Sequence, residues 1–437
     1  MGRITFERGT KRVKINSGLS EFPLDLLNVS STLEFLDLSG NKSISTLPSD
    51  FRRFHKLKVL FLSDCSFTIF PPQLAECKSL EMIAFKNNGM TTIPEHAVPH
   101  HVRWLILTNN AIDSLPSSIG KCHRLQKCML AGNNLRAIPD TMRKCKKLGL
   151  LRLSANKIEY LPKWLFEKMP ELSFLAFAGN PCLEGPAGKN PVLDEVHWNE
   201  LQLKEELGAG ASGIISRGIW TEVDVGELKH VAVKIFKGDV TSDGSPHDEM
   251  KACLEVGKHP HVISTIGEVH SHPETKKGLV LELIPPNFTT LGGPPSLDSC
   301  TRDTFQPDQK YNIQKIKKIL ISIASAAVHL HEKGISHGDM YAHNILIDEA
   351  GHALLGDFGA ATVYGVKNPF AAAIERLEVH AYGLLVEDML SLLSDKNLSE
   401  KDLIAEVGLK DLHFECTNPV VKDRPAFREI LKQLLAI

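Results

Sequence analysis

The sequence predicts an α/β solenoid built from a short repeat over residues 1–198, followed by a separate α+β domain over residues 199–437. Three observations carry that prediction. A nine-residue pattern, LxxLxLxxN or its Cys variant, returns seven times at spacings of 22 to 24 residues. It stops before residue 199, where a Gly-rich turn, aliphatic strands and an amphipathic helical stretch take over. Finally, 437 residues exceed what one hydrophobic core organises, and 43% apolar with 23% charged residues is the balance of a folded chain.

The repeats LEFLDLSGN, LKVLFLSDC, LEMIAFKNN, VRWLILTNN, LQKCMLAGN, LGLLRLSAN and LSFLAFAGN begin at 33, 57, 80, 102, 125, 148 and 172. This is the period of leucine-rich repeats. The alternating apolar residues make a short strand in each. The ninth-place residue (Asn41, Cys65, Asn88, Asn110, Asn133, Asn156, Asn180) is expected to donate to carbonyls of the turn, forming a ladder down the stack. Leu47-Pro48, Phe70-Pro71, Ile93-Pro94, Leu115-Pro116, Ile138-Pro139 and Leu161-Pro162 recur late in each unit, where Pro closes the outer arc without needing an N–H. No unit can bury its apolar side alone, so the stack shares one core. Phe22-Pro23 marks a degenerate first repeat; residues 1 to about 32 read as one cap, and 180 to about 199, with the Pro/Gly-rich NPCLEGPAGKNP, as the other cap and linker. Cys77, Cys122 and Cys145 each fall twenty positions after their repeat's first residue and should stack in a buried column. The nine cysteines include no CxxC pair and no zinc-type spacing.

Solvent-side strand positions give Phe35, Val59, Met82, Trp104, Lys127, Leu150 and Phe174 in the third place, with Phe61, Ile106 and Met129 in the fifth. Such an apolar row on the concave face, set where water should be, marks a contact for a protein partner or for the chain's own second half, or else packs laterally from repeat to repeat. A net charge of -2 gives no reason to expect nucleic acid or an anionic membrane. The first residues lack an apolar signal region, Phe6 stands where myristoylation needs Ser or Thr, and the apolar stretch 319–330 is too short to span a bilayer. The expected compartment is the cytoplasm.

The second half carries the chemistry. Leu207-Gly208-Ala209-Gly210-Ala211-Ser212-Gly213-Ile214-Ile215 lies between two expected strands, and its glycines let a backbone approach phosphates. A helix would follow in a dinucleotide-binding fingerprint; strand-forming residues follow here. Val231-Ala232-Val233-Lys234-Ile235 is a strand with one cation among aliphatics, and burying that ammonium requires an anionic partner such as ATP phosphates. Glu249, in the helical stretch HDEMKACLEVG, is the acid to hold Lys234, with Asp248 its rival by one residue. An amphipathic segment with Ile313, Ile316, Leu320, Ile323 and Ala327 on one face precedes His337-Gly338-Asp339-Met340-Tyr341-Ala342-His343-Asn344. Asp357-Phe358-Gly359 begins thirteen residues after Asn344. Phosphoryl transfer needs metal ligands beside a triphosphate and a carboxylate facing the attacking hydroxyl. Asn344 and Asp357 are the candidate Mg²⁺ ligands and Asp339 the group that receives or orients the hydroxyl proton.

Through GAGASGII, VAVK, the HDEM acid, HGDMYAHN, DFG and a closing CTNPVVKDRPAF, residues from about 201 onward resemble the protein-kinase superfamily, and the whole chain resembles leucine-rich-repeat protein kinases. The resemblance implies a bilobal α+β fold, ATP and Mg²⁺, and a protein substrate phosphorylated on Ser or Thr. It implies nucleotide contacts from Leu207, Gly208, Gly210, Gly213, Ile215, Ala232, Lys234 and Glu249, and a hinge with Leu281, Glu282 and Leu283 beside adenine. His337 and Phe358 become internal supports.

The pattern also departs from the family. Gly338 replaces an Arg that senses a phosphorylated activation loop, and only Thr362 and Tyr364 offer hydroxyls between Gly359 and Glu378, implying phosphate-free activity or control by the repeats. Tyr341 replaces a Lys that serine/threonine kinases place near the transferred phosphate, and Glu378 replaces an Asp. Glu375 is the expected partner of Arg424, and residues 285–309, rich in Pro, Gly, Ser and Thr, the expected flexible insertion at the cleft mouth. Two alternatives stand beside the protein kinase: a small-molecule kinase of the aminoglycoside or choline type, suggested by HGDxxxxN, and a non-catalytic scaffold binding nucleotide as a structural ligand.

Overall fold

The computed structural model describes residues 5–183, 194–210, 212–222, 226–238, 240–241, 243–394 and 399–437. Met1-Gly2, Ala211 and most of NPCLEGPAGKNP lie outside the described residues. The chain forms two compact units, one of Met1–Leu172 with Asn180–Cys182 and one of Ser173–Gly179 with Leu183–Ile437.

In the first unit, three-residue strands β1 (Arg12–Lys14), β2 (Phe35–Asp37), β3 (Val59–Phe61), β4 (Met82–Ala84), β5 (Trp104–Ile106), β6 (Lys127–Met129) and β7 (Leu150–Arg152) run parallel in chain order. Period-two alternation turns one residue of each inward: Leu36, Leu60, Ile83, Leu105, Cys128 and Leu151 are wholly buried. The expected ladder follows. Asn110 Nδ2 donates to the Phe85 and Leu107 carbonyls, both at 2.9 Å, and its Oδ1 accepts from the Met90 and Asn88 N–H groups. Asn41, Asn88, Asn133, Asn156 and Asn180 do the same one repeat up or down, and the Cys65 thiol points at the Leu38 carbonyl. On the far side, 3-10 turns Ser49–Arg53, Pro72–Glu76, Ser117–Lys121 and Asp140–Lys144 start directly after Pro48, Pro71, Pro116 and Pro139, and α1 (Trp164–Glu167) closes a later arc.

Cys77, Cys122 and Cys145 are wholly buried, and burial pushes their thiols up to about 12, 12 and 11. They are packing residues. The third-place row is less exposed than its register implies. Phe35, Val59 and Met82 bury one another, with Phe61 and Trp104 packed against them, and Leu150 is also buried. Adjacent parallel strands set like places side by side, and cations cover the rings: Arg12 lies 3.6 Å from the Phe35 centroid and Lys127 4.5 Å from that of Trp104. Ile106 and Met129 are half-buried.

The second unit opens with β9 (Asp194–His197), ahead of the sequence-derived boundary at residue 199, because Val196 buries in a sheet core with Trp220, Val231, Val233, Val269 and Val280. That sheet runs β10-β11-β12-β14-β13-β9, where β10 is Leu201–Ala209, β11 Gly213–Glu222, β12 Glu227–Phe236, β13 Thr265–His270 and β14 Gly278–Glu282. It is antiparallel except for β9 against β13. α2 (Pro246–Val256) is capped by the Ser245 side chain. The helical part comprises α3 (Ile313–Glu332), α4 (Ala371–Ser391), α5 (Glu400–Cys416) and α6 (Phe427–Ala436). Short strands form two further small sheets, β15-β17-β18 and β16-β19, where β15 is Thr289–Thr290, β16 Ile335–Ser336, β17 Ile345–Ile347, β18 Ala353–Leu355 and β19 Thr362–Val363. The strand β8 (Phe174–Ala176) of the LSFLAFAGN repeat also falls in this unit. Among the described residues no helix is long and apolar enough to cross a membrane.

Two expectations fail here. Residues 285–309 are not a loose insertion: β15 pairs with β17, Leu291 and Cys300 are buried, and Arg302 forms ion pairs with Glu387 and Asp388. Their polar composition conceals partners far along the chain. Glu375 does not pair with Arg424. It accepts from the Phe427 N–H at 2.8 Å, at the positive end of α6, while Arg424 donates to the Asn418 and Arg376 carbonyls.

Candidate active site

The glycine-rich turn is the tip of the β10–β11 hairpin, with Gly208 opposite Ile215 and the Gly210 N–H donating to the Gly213 carbonyl at 2.9 Å. Leu207 and Gly210 are exposed, Gly208 is half-buried, and Ile215 is half-buried opposite Lys234 in the next strand. Gly213 has a packing reason: a Cβ there would sit 2.6 Å from the Ile235 carbonyl oxygen. One strand further, Ala232 pairs with Leu281, and Glu282 and Leu283 follow at the exit from β14. The glycine turn, the cation and the intended hinge therefore lie on neighbouring strands.

Lys234 is buried, and its Nζ lies 2.5 Å from Glu249 Oε1 and 3.7 Å from Asp357 Oδ1. Burial would lower its pKa; the two carboxylates outweigh that and raise it, so the site keeps an ammonium. Asp248, the rival acid, instead accepts from the Ser245 hydroxyl at the start of α2. The half-exposed Asp357 has left-handed backbone at φ 54 and accepts from the Gly359 N–H at 3.3 Å. Crowding raises its carboxyl, but Lys234 and the Gly359 N–H bring it below its ordinary value.

Asn344 Nδ2 donates to Asp339 Oδ2 and to the Asp339 carbonyl, both at 2.9 Å. The Gly356 N–H, next to Asp357, donates to the Asn344 carbonyl at 3.0 Å, which ties the two acidic clusters together. His337 is wholly buried, donates from Nε2 to the Gly356 carbonyl at 2.8 Å, and sits 5.0 Å from the Phe358 ring; it is the internal support expected of it. Buried Glu378 accepts from the Gly338 and His337 N–H groups at 2.6 and 3.1 Å and bonds His331 Nε2 at 2.7 Å. Burial raises its carboxyl, but His331 and these donors outweigh that and hold it below its ordinary value, so the loop rests on a carboxylate.

One contributor was not legible. His343 Nδ1 lies 2.7 Å from Asp303 Oδ1, and Asp303 Oδ2 accepts the His343 N–H at 3.2 Å. Burial lowers the imidazole pKa, but the bond to Asp303 raises it overall. Asp303 sits in the segment read as flexible, so nothing in its local sequence pointed to the loop. Thr362 and Tyr364, the hydroxyls of the short segment, are both buried.

Asp357 and the Asn344 amide offer hard oxygen ligands beside a fixed ammonium, a donor set that suits Mg²⁺ held largely by phosphates and water. Among the described residues no three His, Cys, Asp or Glu side chains form a self-contained metal site.

Comparison with known proteins agrees. A family model described as "Protein tyrosine and serine/threonine kinase" matches residues 201–372, and one described as "Leucine Rich Repeat" matches 32–54 and 56–77. The chain is 23% identical over 56% of its length to the "Probable serine/threonine-protein kinase gdt2" of Dictyostelium discoideum, covering 16% of that protein. It is 30% identical over 38% of its length to the "Putative serine/threonine-protein kinase/receptor R826" of Acanthamoeba polyphaga mimivirus, covering 9% of it. Against the "Tyrosine-protein kinase receptor TYRO3" of Gallus gallus the figures are 28%, 38% and 19%. The chain thus spans under a fifth of each of these relatives. Motifs, fold and comparisons converge: this chain joins leucine-rich repeats to a protein kinase domain.

Proposed function

We propose that the second unit transfers the γ-phosphoryl group of ATP to a hydroxyl of a protein, in the first instance Ser or Thr, and that the repeats recognise the partner or regulate the transfer. The observation that carries this reading is the joining of two linked pairs, Lys234–Glu249 beside Asp357 and Asp339–Asn344, through the Gly356 to Asn344 hydrogen bond. In this reading the turn from Leu207 to Ile215, with Ala232, Leu281, Glu282 and Leu283, receives the nucleotide. Lys234 holds its phosphates, and Glu249 keeps the ammonium from moving. Asn344 and Asp357 would hold Mg²⁺, which when bound offsets phosphate charge. Asp339 orients the substrate hydroxyl and takes its proton as the new O–P bond forms and the bond to ADP breaks.

The Ser/Thr assignment rests on the names of the first two relatives; TYRO3 is named a tyrosine kinase. Burial of Thr362 and Tyr364 supports activity that needs no phosphate on that segment. For the repeats, the row Phe35, Phe61, Trp104, Ile106, Met129, Leu150 and Phe174 is the proposed contact, with a protein or with this chain's own domain. The test compares two variants. Asp339→Asn should keep Mg²⁺-ATP binding and lose transfer to protein, whereas Asp357→Asn should lose the Mg²⁺-dependent part of binding. Full transfer by Asp339→Asn would overturn the assignment of the base; transfer only to small molecules would return the small-molecule reading.

A further inference from the structure

The two catalytic-loop positions at which this chain departs from the kinase pattern, Gly338 and Tyr341, are touched by the same piece of chain, Ser173–Gly179. In sequence that piece is one more leucine-rich repeat strand. By its contacts it belongs to the kinase unit. The Phe174 ring stacks on the Tyr341 ring with centroids 3.8 Å apart and planes 11° from parallel, and both are buried. Phe177 N–H donates to Thr362 Oγ1 at 3.1 Å, and Ser173 Oγ bonds His380 Nδ1 at 2.7 Å. The Leu175 carbonyl passes so close to Gly338 that a Cβ there would lie 3.0 Å from it. With β8 in place, an Arg at 338 has no room, which gives the glycine a physical reason.

Tyr341 is well placed to transmit this contact. Its N–H donates to the Asp339 carbonyl at 2.8 Å, and its own carbonyl accepts from the Asn344 N–H at 3.1 Å. The ring also stands 5.1 Å from that of His343, which Asp303 holds from the other side. The backbone turn carrying Asp339 and Asn344 is therefore gripped through one aromatic side chain. We propose that Phe174 is a positioning residue for phosphoryl transfer: by stacking on Tyr341 it sets the turn that presents Asp339 and Asn344, a task that a phosphorylated activation loop and its Arg sensor perform in the kinase pattern this chain lacks. This rests on the phosphotransfer reading above, so the experiment carries a readout that does not require transfer.

The full chain is compared with Phe174→Leu, which keeps apolar bulk without a ring, with Phe174→Ala, and with Tyr341→Phe, which keeps the ring. Amide exchange of residues 339–344 should speed up in both Phe174 variants and stay as in the parent in Tyr341→Phe, with exchange in β12 unchanged throughout. If the chain transfers phosphate, kcat should fall about 10²-fold in Phe174→Ala, the cost of a displacement near 1 Å at reacting groups. KM for ATP should hold, because Lys234, Glu249 and Asp357 are not touched. Unchanged loop exchange in Phe174→Leu overturns the proposal, as does a loss spread equally over β12 and the loop, which would mark Phe174 as ordinary core. A parent chain that moves no phosphate yet shows the selective loop response would sink the phosphotransfer reading and leave the positioning contact standing.

Discussion

Replacing Gly338 by alanine separates two costs that the fold makes distinguishable. Gly338 has φ +73, and a left-handed backbone costs a residue with a Cβ about 1–2 kcal/mol. The new methyl would also lie 2.6 Å from the Ala360 carbonyl oxygen and 3.0 Å from that of Leu175. Both neighbours are backbone, so neither can rotate aside, and overpacking of this kind adds about 1–3 kcal/mol. The sum is a destabilisation of about 2–5 kcal/mol. Gly365 provides the control: its φ is +76, yet nothing lies within 4 Å of where its Cβ would be. Gly365→Ala should therefore show the backbone cost alone. Urea denaturation of both variants, followed through the second unit, reads the difference. Equal destabilisation would refute the claim that packing against Ala360 and Leu175, and not backbone conformation by itself, demands glycine beside Asp339.

Three further outcomes follow from the same reasoning. Lys234→Met leaves the buried Glu249 carboxylate without its cation and should cost about 3–5 kcal/mol of stability, whereas Lys234→Met with Glu249→Leu should recover part of it; urea midpoints of the two compare them. His380 is held by burial, with Arg424 nearby, at a pKa of about 3 against an ordinary 6.5. The unfolded chain takes up that proton first, so the contribution of His380 is complete above pH 6.5 and is lost as the pH falls from there toward 3. Between pH 6.5 and 5 the loss should be about 2 kcal/mol, and His380→Gln should flatten it; an identical acid profile in both would contradict the assignment. In the repeats, Asn110→Ala removes the ladder hydrogen bonds that its amide makes to and from part-buried backbone and should destabilise the first unit by about 2–4 kcal/mol, measured by its thermal melt.

What could be read from the sequence was local or periodic. The Asn ladder, the prolines of the outer arc and the buried cysteine column follow from positions that repeat every turn of the solenoid, so one repeat predicts the next. Lys234, Glu249, Asp339, Asn344 and Asp357 could be nominated for the proposed site because phosphoryl transfer requires those residue types in that order. What stayed hidden depends on pairings across long separations. Asp303 finds His343 forty residues on, and Arg302 finds Glu387 and Asp388 more than eighty residues on, so a segment rich in turn formers turned out ordered. Glu375 meets the N-terminus of α6 and not Arg424, a choice set by how α4 and α6 pack. LSFLAFAGN carries the same pattern as its siblings, and nothing in it distinguishes a strand whose Phe174 stacks on a catalytic-loop tyrosine.

The central claim is that Lys234, Asp357, Asp339 and Asn344 form one phosphotransfer centre. Incubating the purified chain with Mg²⁺ and ATP labelled at the γ-phosphate, beside Asp339→Asn and with a mixed protein substrate, tests it most directly, with mass spectrometry naming the modified residue. Label on Ser or Thr that disappears in the variant is the predicted result. Label that is absent from the parent chain, or that persists undiminished without the Asp339 carboxylate, would contradict the account.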